Sequence, residues 1–542
     1  MNKKLLIKIF CFLLSWQFAT AQSYQWAQGE GGTNEDRAFG VATDIWGNVY
    51  VTGSFRSTAT FGTTVFSSAG VEDAFLAKYD SSGNFLWAKR FGGQSIDIGY
   101  DAATDDSGNC YIAGVFYNIG MFGSITLQSS GTGDAEIFIL KTDSSGTILW
   151  AKSAGSPDYD LARGLTVSGN KIYVTGVFSD TAAFDAVTVN GAGLQDVFLA
   201  RYDLNGNAQW AIAGGGTGYD VGYGVATDAA GNACVTGYFQ SQASFGTIPL
   251  TNASALYVDM FVFKADSTGQ VLWAKRGGAT NDDDAGRSIA ADSAGNVYVA
   301  GEIRASGNFD TINYTNAGIA EIYMAKYNSS GTIQYLAVAG GGGGDYAYGI
   351  AASSSAVFIT GLFNSTAQFG TISLASAGIN DIYLARIDAA SGNFTHAIRA
   401  GGTGDEAGRA VAVYKNNTVV QAGDFEHTPS SFTPFTLSSN GSHDMFAARI
   451  GFDLSTEVNE NENEGSVSVF PNPSSGWLNV EFRGKDKVGK KLLTIFDMSG
   501  SKVWEEEINS PLLNIHFRLA NGVYLLKVFS SGKFFMQKLV VN

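Results

Sequence analysis

A chain of 542 residues is too long for one compact domain of ordinary size, so several units or a repeat array are expected. Its 13% aromatic residues exclude a disordered chain, and 68 glycines against 7 prolines suit many short strands joined by glycine turns. The formal charge of −16 arises from residues 22–465, where 21 basic groups face 44 acidic ones, and a body that acidic repels polyphosphate, so nucleic acid is not an expected partner.

The first element is a secretory signal over residues 1–21. Lys3, Lys4 and Lys8 precede the apolar run "IFCFLLSWQFA", and "ATA" offers a small-x-small site for cleavage between Ala21 and Gln22. The run is short for a bilayer span and no later segment is apolar enough, so no transmembrane span is expected in the mature protein. Cys11 lies in this signal. Cys110 and Cys234 fall in strands two repeats apart, so no disulfide is expected and both should be buried, inert thiols.

From residue 24 the chain repeats itself. The residue opening each "LWAK"-like run is Trp26, Trp87, Trp150, Trp210, Trp273, Tyr335 and His396, at spacings of 61, 63, 60, 63, 62 and 61. Each unit holds four strand-like runs, in the first unit "AFGVATD", "VYVTGSF", "AFLAKYD" and "FLWAKRF". Tight D-x-x-G turns join the first run to the second, as at Asp44, Asp105, Asp228 and Asp292, and the third to the fourth, as at Asp80, Asp143 and Asp203. Asp bonds its own backbone and Gly supplies positive φ, which makes these hairpin turns; a calcium loop needs more oxygen ligands than each supplies. A four-stranded meander repeated seven times predicts a seven-bladed β-propeller over residues 22–450. A solenoid, the alternative, needs capping repeats, and none is seen. The chain opens with an unpartnered fourth-type strand at Trp26 and ends its last repeat at the third-type run Asp444–Ile450. The first strand is therefore expected to complete the last blade and close the ring.

The phrase D-x-x-G-N-x-Y-V-T-G, followed by D-x-F-L-A-K-Y-D-x-x-G, resembles the bacterial β-propeller repeat family called SBBP. It is seen at Asp105 ("DSSGNCYIAG"), Asp292 ("DSAGNVYVAG") and Asp73 ("DAFLAKYDSSG"). The resemblance implies an exported propeller of undefined ligand. Units five to seven depart most, with Tyr335 and His396 in place of tryptophan and no D-x-x-G-N turn in the seventh.

In such a meander the long connection from second to third strand and the approach to the first strand share one face, which is the candidate binding face. Two acidic series mark it: Asp36, Asp97, Asp160, Asp220, Asp284, Asp345 and Glu406, then Asp73, Glu136, Asp196, Asp259, Glu321, Asp381 and Asp444. Paired carboxylates suit glycoside hydrolysis, but catalysis requires unlike environments, and seven equivalent copies suit bonds to backbone amides instead. Three residues after each inner acid stand Phe39, Tyr100, Arg163, Tyr223, Arg287, Tyr348 and Arg409. Rings and guanidiniums at a channel mouth can stack a sugar or grip an anion, so Arg163, Arg287, Arg409, Tyr100, Tyr223 and Tyr348 are the candidate binding residues; neutralising the acid ring is the arginines' other role. Glu302 and Asp424 break the symmetry where other units carry Ser, Val, Tyr or Leu. No catalytic constellation, metal-ligand spacing or cofactor motif is present, so no cofactor or metal is expected.

After an acidic linker, residues 451–465, the composition turns basic. Residues 466–542 alternate strands and turns as a small Ig-like β-sandwich would. Pro471, Asn472, Pro473 and Gly476 in "PNPSSG", Asp497 and Gly500 in "DMSG", then Gly522, Tyr524 and a terminal "KLVV" resemble the type A C-terminal sorting domain of the type IX secretion system of Bacteroidota. The resemblance implies the type IX machinery as partner, passage through the periplasm, and surface attachment or release. The function expected is binding or adhesion, to a glycan or a protein. A carbohydrate-active enzyme at the channel mouth and a purely structural surface component are the alternatives.

Overall fold

The computed structural model describes residues 22–452, except 132, 416, 417, 427 and 428, and most of the strands of a second unit between 467 and 541. The chain forms two compact units, residues 1–453 and 454–542. The signal segment through Ala21, the linker from residue 453, and Pro471, Asn472, Pro473, Gly476 and Gly500 lie outside the described residues.

Among the described residues the first unit is seven antiparallel meanders of four strands. Blade 1 runs Asp36–Thr43, Val49–Phe55, Asp73–Tyr79 and Phe85–Gly93, from the inside outward. Each innermost strand packs against the innermost strands of the blades on either side, and the seventh returns to the first, so the sheets form a closed ring. Closure is made by the two ends of the repeat array. Tyr24–Gly32 is the outer strand of blade 7, antiparallel to His443–Gly451, with Trp26 opposite Arg449 and Glu30 opposite Met445.

Middle strands such as "VYVTGSF" are buried along their whole length because a blade lies on each side of them. Val49, Val51 and Phe55 join a core with Val420, Ala422 and Met445 of blade 7, whereas Tyr50 joins one with Cys110, Ile112 and Phe116 of blade 2. The strict alternation of a half-exposed strand is lost for that reason. Cys110 and Cys234 are buried and unbridged.

The tryptophan of the repeat locks one blade to the next. Trp150 Nε1 donates to Leu204 O at 3.1 Å, and Trp210 Nε1 donates to Ser267 O at 3.1 Å, each in the third-to-fourth turn of the following blade. Lys78 Nζ reaches Ser144 O at 2.9 Å in the same way. The turn glycine permits this: Gly83 has φ of 84°, and a Cβ there would press into the Trp26 ring. The seventh blade is assembled from two ends of the array and lacks this turn, so the corresponding His396 meets Phe452 edge-on at 6.2 Å instead.

The long second-to-third connections, expected as loops, carry hairpins. Thr58–Phe61 and Thr64–Ser67 pair with each other, and the first adds to the outer strand of the preceding blade, with Gly31 opposite Thr60. The physical reason is the free edge of each outer strand, which this hairpin covers.

Among the described residues the second unit has a three-stranded and a four-stranded antiparallel sheet. Leu478, Val480 and Ile515 of the first form one core with Leu493, Ile495, Leu526 and Val528 of the second, which is the packing of a small sandwich. Asp497 directly follows the strand Lys491–Phe496, and Gly522 and Tyr524 lie on Gly522–Ser530; Tyr524 Oη donates to Ala520 O, just before that strand, at 2.8 Å.

Candidate functional site

All seven innermost strands carry a bulge at one place. In blade 1 Ala38 pairs with Gly53 and Gly40 with Thr52, so Phe39 has no partner in the ladder. Tyr100, Arg163, Tyr223, Arg287, Tyr348 and Arg409 are skipped likewise in their blades. A bulge turns its extra residue out of the pleat. The glycine of "VTG" makes room for it, since a Cβ on Gly53 would overlap the Arg37 carbonyl oxygen. The seven bulged residues converge on the axis of the ring and line a cavity of about 170 Å³, with Val41, Val225, Ile289, Ile350 and Val411 also in its wall.

The inner acids are not available to that cavity for chemistry. Asp36 is fully buried and accepts from Gly32 N at 2.6 Å, in the outer strand of blade 7, and from Arg56 N at 3.1 Å, beyond the second strand of its own blade. Asp220 does the same with Gly216 and Gln240, and Asp345 with Gly341 and Asn364. Each is thus a clamp between neighbouring outer and inner strands. Burial raises Asp36, Asp97, Asp160, Asp220 and Asp284 to about 7, against the lowering effect of the amides they accept. The second series caps the turns before the third strands. Asp73 takes Ala69 N at 3.0 Å and Arg90 Nη1 at 2.6 Å, and Arg90 belongs to the outer strand of the same blade.

Two of the three channel arginines are alike and the third differs. Arg287 grips the buried Glu302 of its own second strand, with Nε 3.0 Å from both carboxylate oxygens. Arg409 pairs in the same way with Asp424. The two departures from repeat symmetry are therefore counter-ions placed for these arginines, not for the acid ring. At Arg163 the matching second-strand residue is Val177, opposite Leu161 as Glu302 is opposite Ala285. The Arg163 guanidinium carbon lies 4.4 Å from the centre of the Tyr100 ring and 5.6 Å from that of Tyr223. Its Nε is buried without a hydrogen-bond partner among the described residues.

Sequence reasoning missed two features. Asp101 lines the cavity where other blades carry Gly40, Gly164, Gly224, Ser288, Gly349 and Ala410, a break in symmetry that is legible in the chain. It accepts from Ala102 N and from Leu165 N of the next blade, both at 2.8 Å, and burial raises it to about 7. The second feature is a series of exposed aliphatic residues just before the third strands: Val71, Leu194, Leu256, Ile319 and Ile379, each 56% to 81% exposed. Parallel bridges join this segment to the approach of the next inner strand, as Gln195 to Tyr219 and Ala320 to Gly344, so the series lies on the face where the channel opens. Among the described residues no group of three His, Cys, Asp or Glu is placed to hold a metal ion, and no helix is long and apolar enough to cross a membrane.

Fold and sorting tail together define an exported β-propeller. Residues 468–542 match the family model of the secretion system C-terminal sorting domain, and residues 272–309 match that of the beta-propeller repeat. The chain thus carries SBBP-type repeats and a type IX sorting domain, which marks it for export through the periplasm to the cell surface or the medium. It is 23% identical over 514 residues to an uncharacterised WD repeat-containing protein of Acanthamoeba polyphaga mimivirus, covering 76% of this chain and 37% of that one. It is 26% identical over 168 residues to the regulatory protein FlaEY of Caulobacter vibrioides, covering 30% and 18%. The chain therefore spans well under half the length of either relative. Among solved structures it resembles a europium-containing methanol dehydrogenase, at 8% identity and a TM-score of 0.36, over 79% of this chain and 93% of that one.

Proposed function

We propose that this chain is a surface-displayed or released binding module whose partner is a protein that docks on the channel-mouth face. The observation that carries this is the aliphatic series. Blades 1, 3, 5 and 6 present a large exposed Val, Leu or Ile two residues before the acid of the third strand, and blade 4 presents the exposed Leu256 three residues before it. Single exposed apolar residues are ordinary, but a repeated set on one face of an exported protein marks a contact surface. Aliphatic side chains give a sugar no stacking surface, which favours a protein over a glycan. The carboxylates that suggested a carbohydrate-active enzyme are held by backbone amides, so that alternative draws no support from them.

The test compares the chain with a variant carrying Ser at positions 71, 194, 256, 319 and 379. Both are offered immobilised proteins purified from the envelope and a glycan array. Saturable binding to one protein that the variant weakens by about tenfold or more, at an unchanged melting temperature, is expected. Undiminished binding by the variant, or binding to glycans alone, overturns the proposal.

A further inference from the structure

Of the three arginines that line the cavity, Arg163 is the one that its own blade leaves unneutralised among the described residues. Arg287 and Arg409 pair with Glu302 and Asp424, whereas the blade of Arg163 carries Val177 at the equivalent place and the Arg163 side chain makes neither an ion pair nor a hydrogen bond among the described residues. Tyr100 and Tyr223 flank its guanidinium, and their rings favour the cation without supplying an acceptor for its N–H groups. The carboxyl of Asp101, in the same wall, is engaged by two backbone amides. A guanidinium partly withdrawn from water gains most from a planar or tetrahedral oxyanion that accepts two parallel hydrogen bonds.

We propose that Arg163, held between Tyr100 and Tyr223, is a binding site for a single oxyanion group at the channel mouth. The size of the cavity decides how much ligand enters. About 170 Å³ lies below the roughly 300 Å³ at which small-molecule pockets begin. It accommodates a carboxylate, sulfate or phosphate, with the rest of its bearer outside. This deepens the docking assignment by naming what the partner inserts at the centre of the face, and it rests on that assignment only for the bearer. The anion site itself stands on Arg163.

The experiment titrates the full chain from residue 22 with sodium sulfate, sodium phosphate and sodium acetate at constant ionic strength in chloride, read by calorimetry and by melting temperature. One saturable site is expected. Arg163→Met should weaken it by about tenfold or more, Arg163→Lys by about threefold because a point charge replaces the fork, and Lys89→Met, on an outer strand, should leave it unchanged. The anion bound most tightly distinguishes a carboxylate bearer from a sulfate or phosphate bearer. Equal affinity in the chain and in Arg163→Met, or no saturable binding of any of the three anions by a folded chain, overturns the proposal. If Arg163→Met does not fold, unchanged affinity in Arg163→Lys overturns it. Because no protein partner is present, anion binding that persists while docking fails rejects the docking assignment alone.

Discussion

Trp150 shows what one repeated side chain contributes. It donates to Leu204 O at 3.1 Å and lies against Gly206 of the next blade while remaining half-buried. Trp150→Ala should therefore cost about 2 kcal/mol, below the roughly 3–5 kcal/mol of a fully buried tryptophan; urea unfolding measures it, and a loss too small to resolve would contradict the lock. The Arg287–Glu302 pair behaves differently because both charges are largely out of water. Glu302→Ala leaves an uncompensated guanidinium and should cost about 3 kcal/mol, whereas Arg287→Met with Glu302→Leu should fall within about 1 kcal/mol of the parent. A double-mutant cycle in urea shows no coupling if the pair is only incidental.

Among elements, the first strand has a role out of proportion to its length. Residues 24–32 supply Tyr24, Trp26 and Ala27 to the interblade cores and nearly the whole outer ladder of blade 7. Removal of residues 22–30 opens the ring at one edge and should lower the melting temperature by about 10 °C or more. Calorimetry on the truncated chain tests this, and an unchanged melt would refute closure. This pairing is legible in the linear chain, because a fourth-type strand without predecessors and a third-type strand without a successor complete each other. The hairpins on the second-to-third connections are not. Their four-residue strands alternate too briefly to stand out, and what holds them is an edge contributed by another repeat.

For the whole molecule, proton uptake by the clamp acids sets an unusual pH profile. Asp36, Asp97, Asp160, Asp220 and Asp284 are raised to about 7 by burial, above their ordinary value of 3.8, so between about pH 4 and 7 the folded ring binds more protons than the unfolded chain. Stability should fall as pH rises through that window and level off above it. The turn acids Asp80, Asp143, Asp203 and Asp266 are lowered by the hydrogen bonds they accept, and their contribution is lost only as pH falls below about 4. The melting temperature should accordingly be higher at pH 5.5 than at pH 8; a higher value at pH 8 would show the clamps ionised at little cost. Export belongs to this scale too. A chain ending at residue 465 lacks the sorting domain and should accumulate in the periplasm, as fractionation and surface protease digestion will show.

Repeat period, turn chemistry and the two unmatched terminal strands are local or periodic properties, so blade order, ring closure and the sorting tail can be read from residues alone. The position of Arg163 three residues after an acid is readable as well, and so is the singularity of Glu302. What linear order leaves undetermined is who neutralises whom. Arg287 and Glu302 meet because a bulge turns one side chain onto the strand beside it, and Arg163 lies between Tyr100 and Tyr223 because the blades on either side of its own each bring a ring to it. A charge becomes a site only when packing withholds its partner, and that was decided by the closed ring.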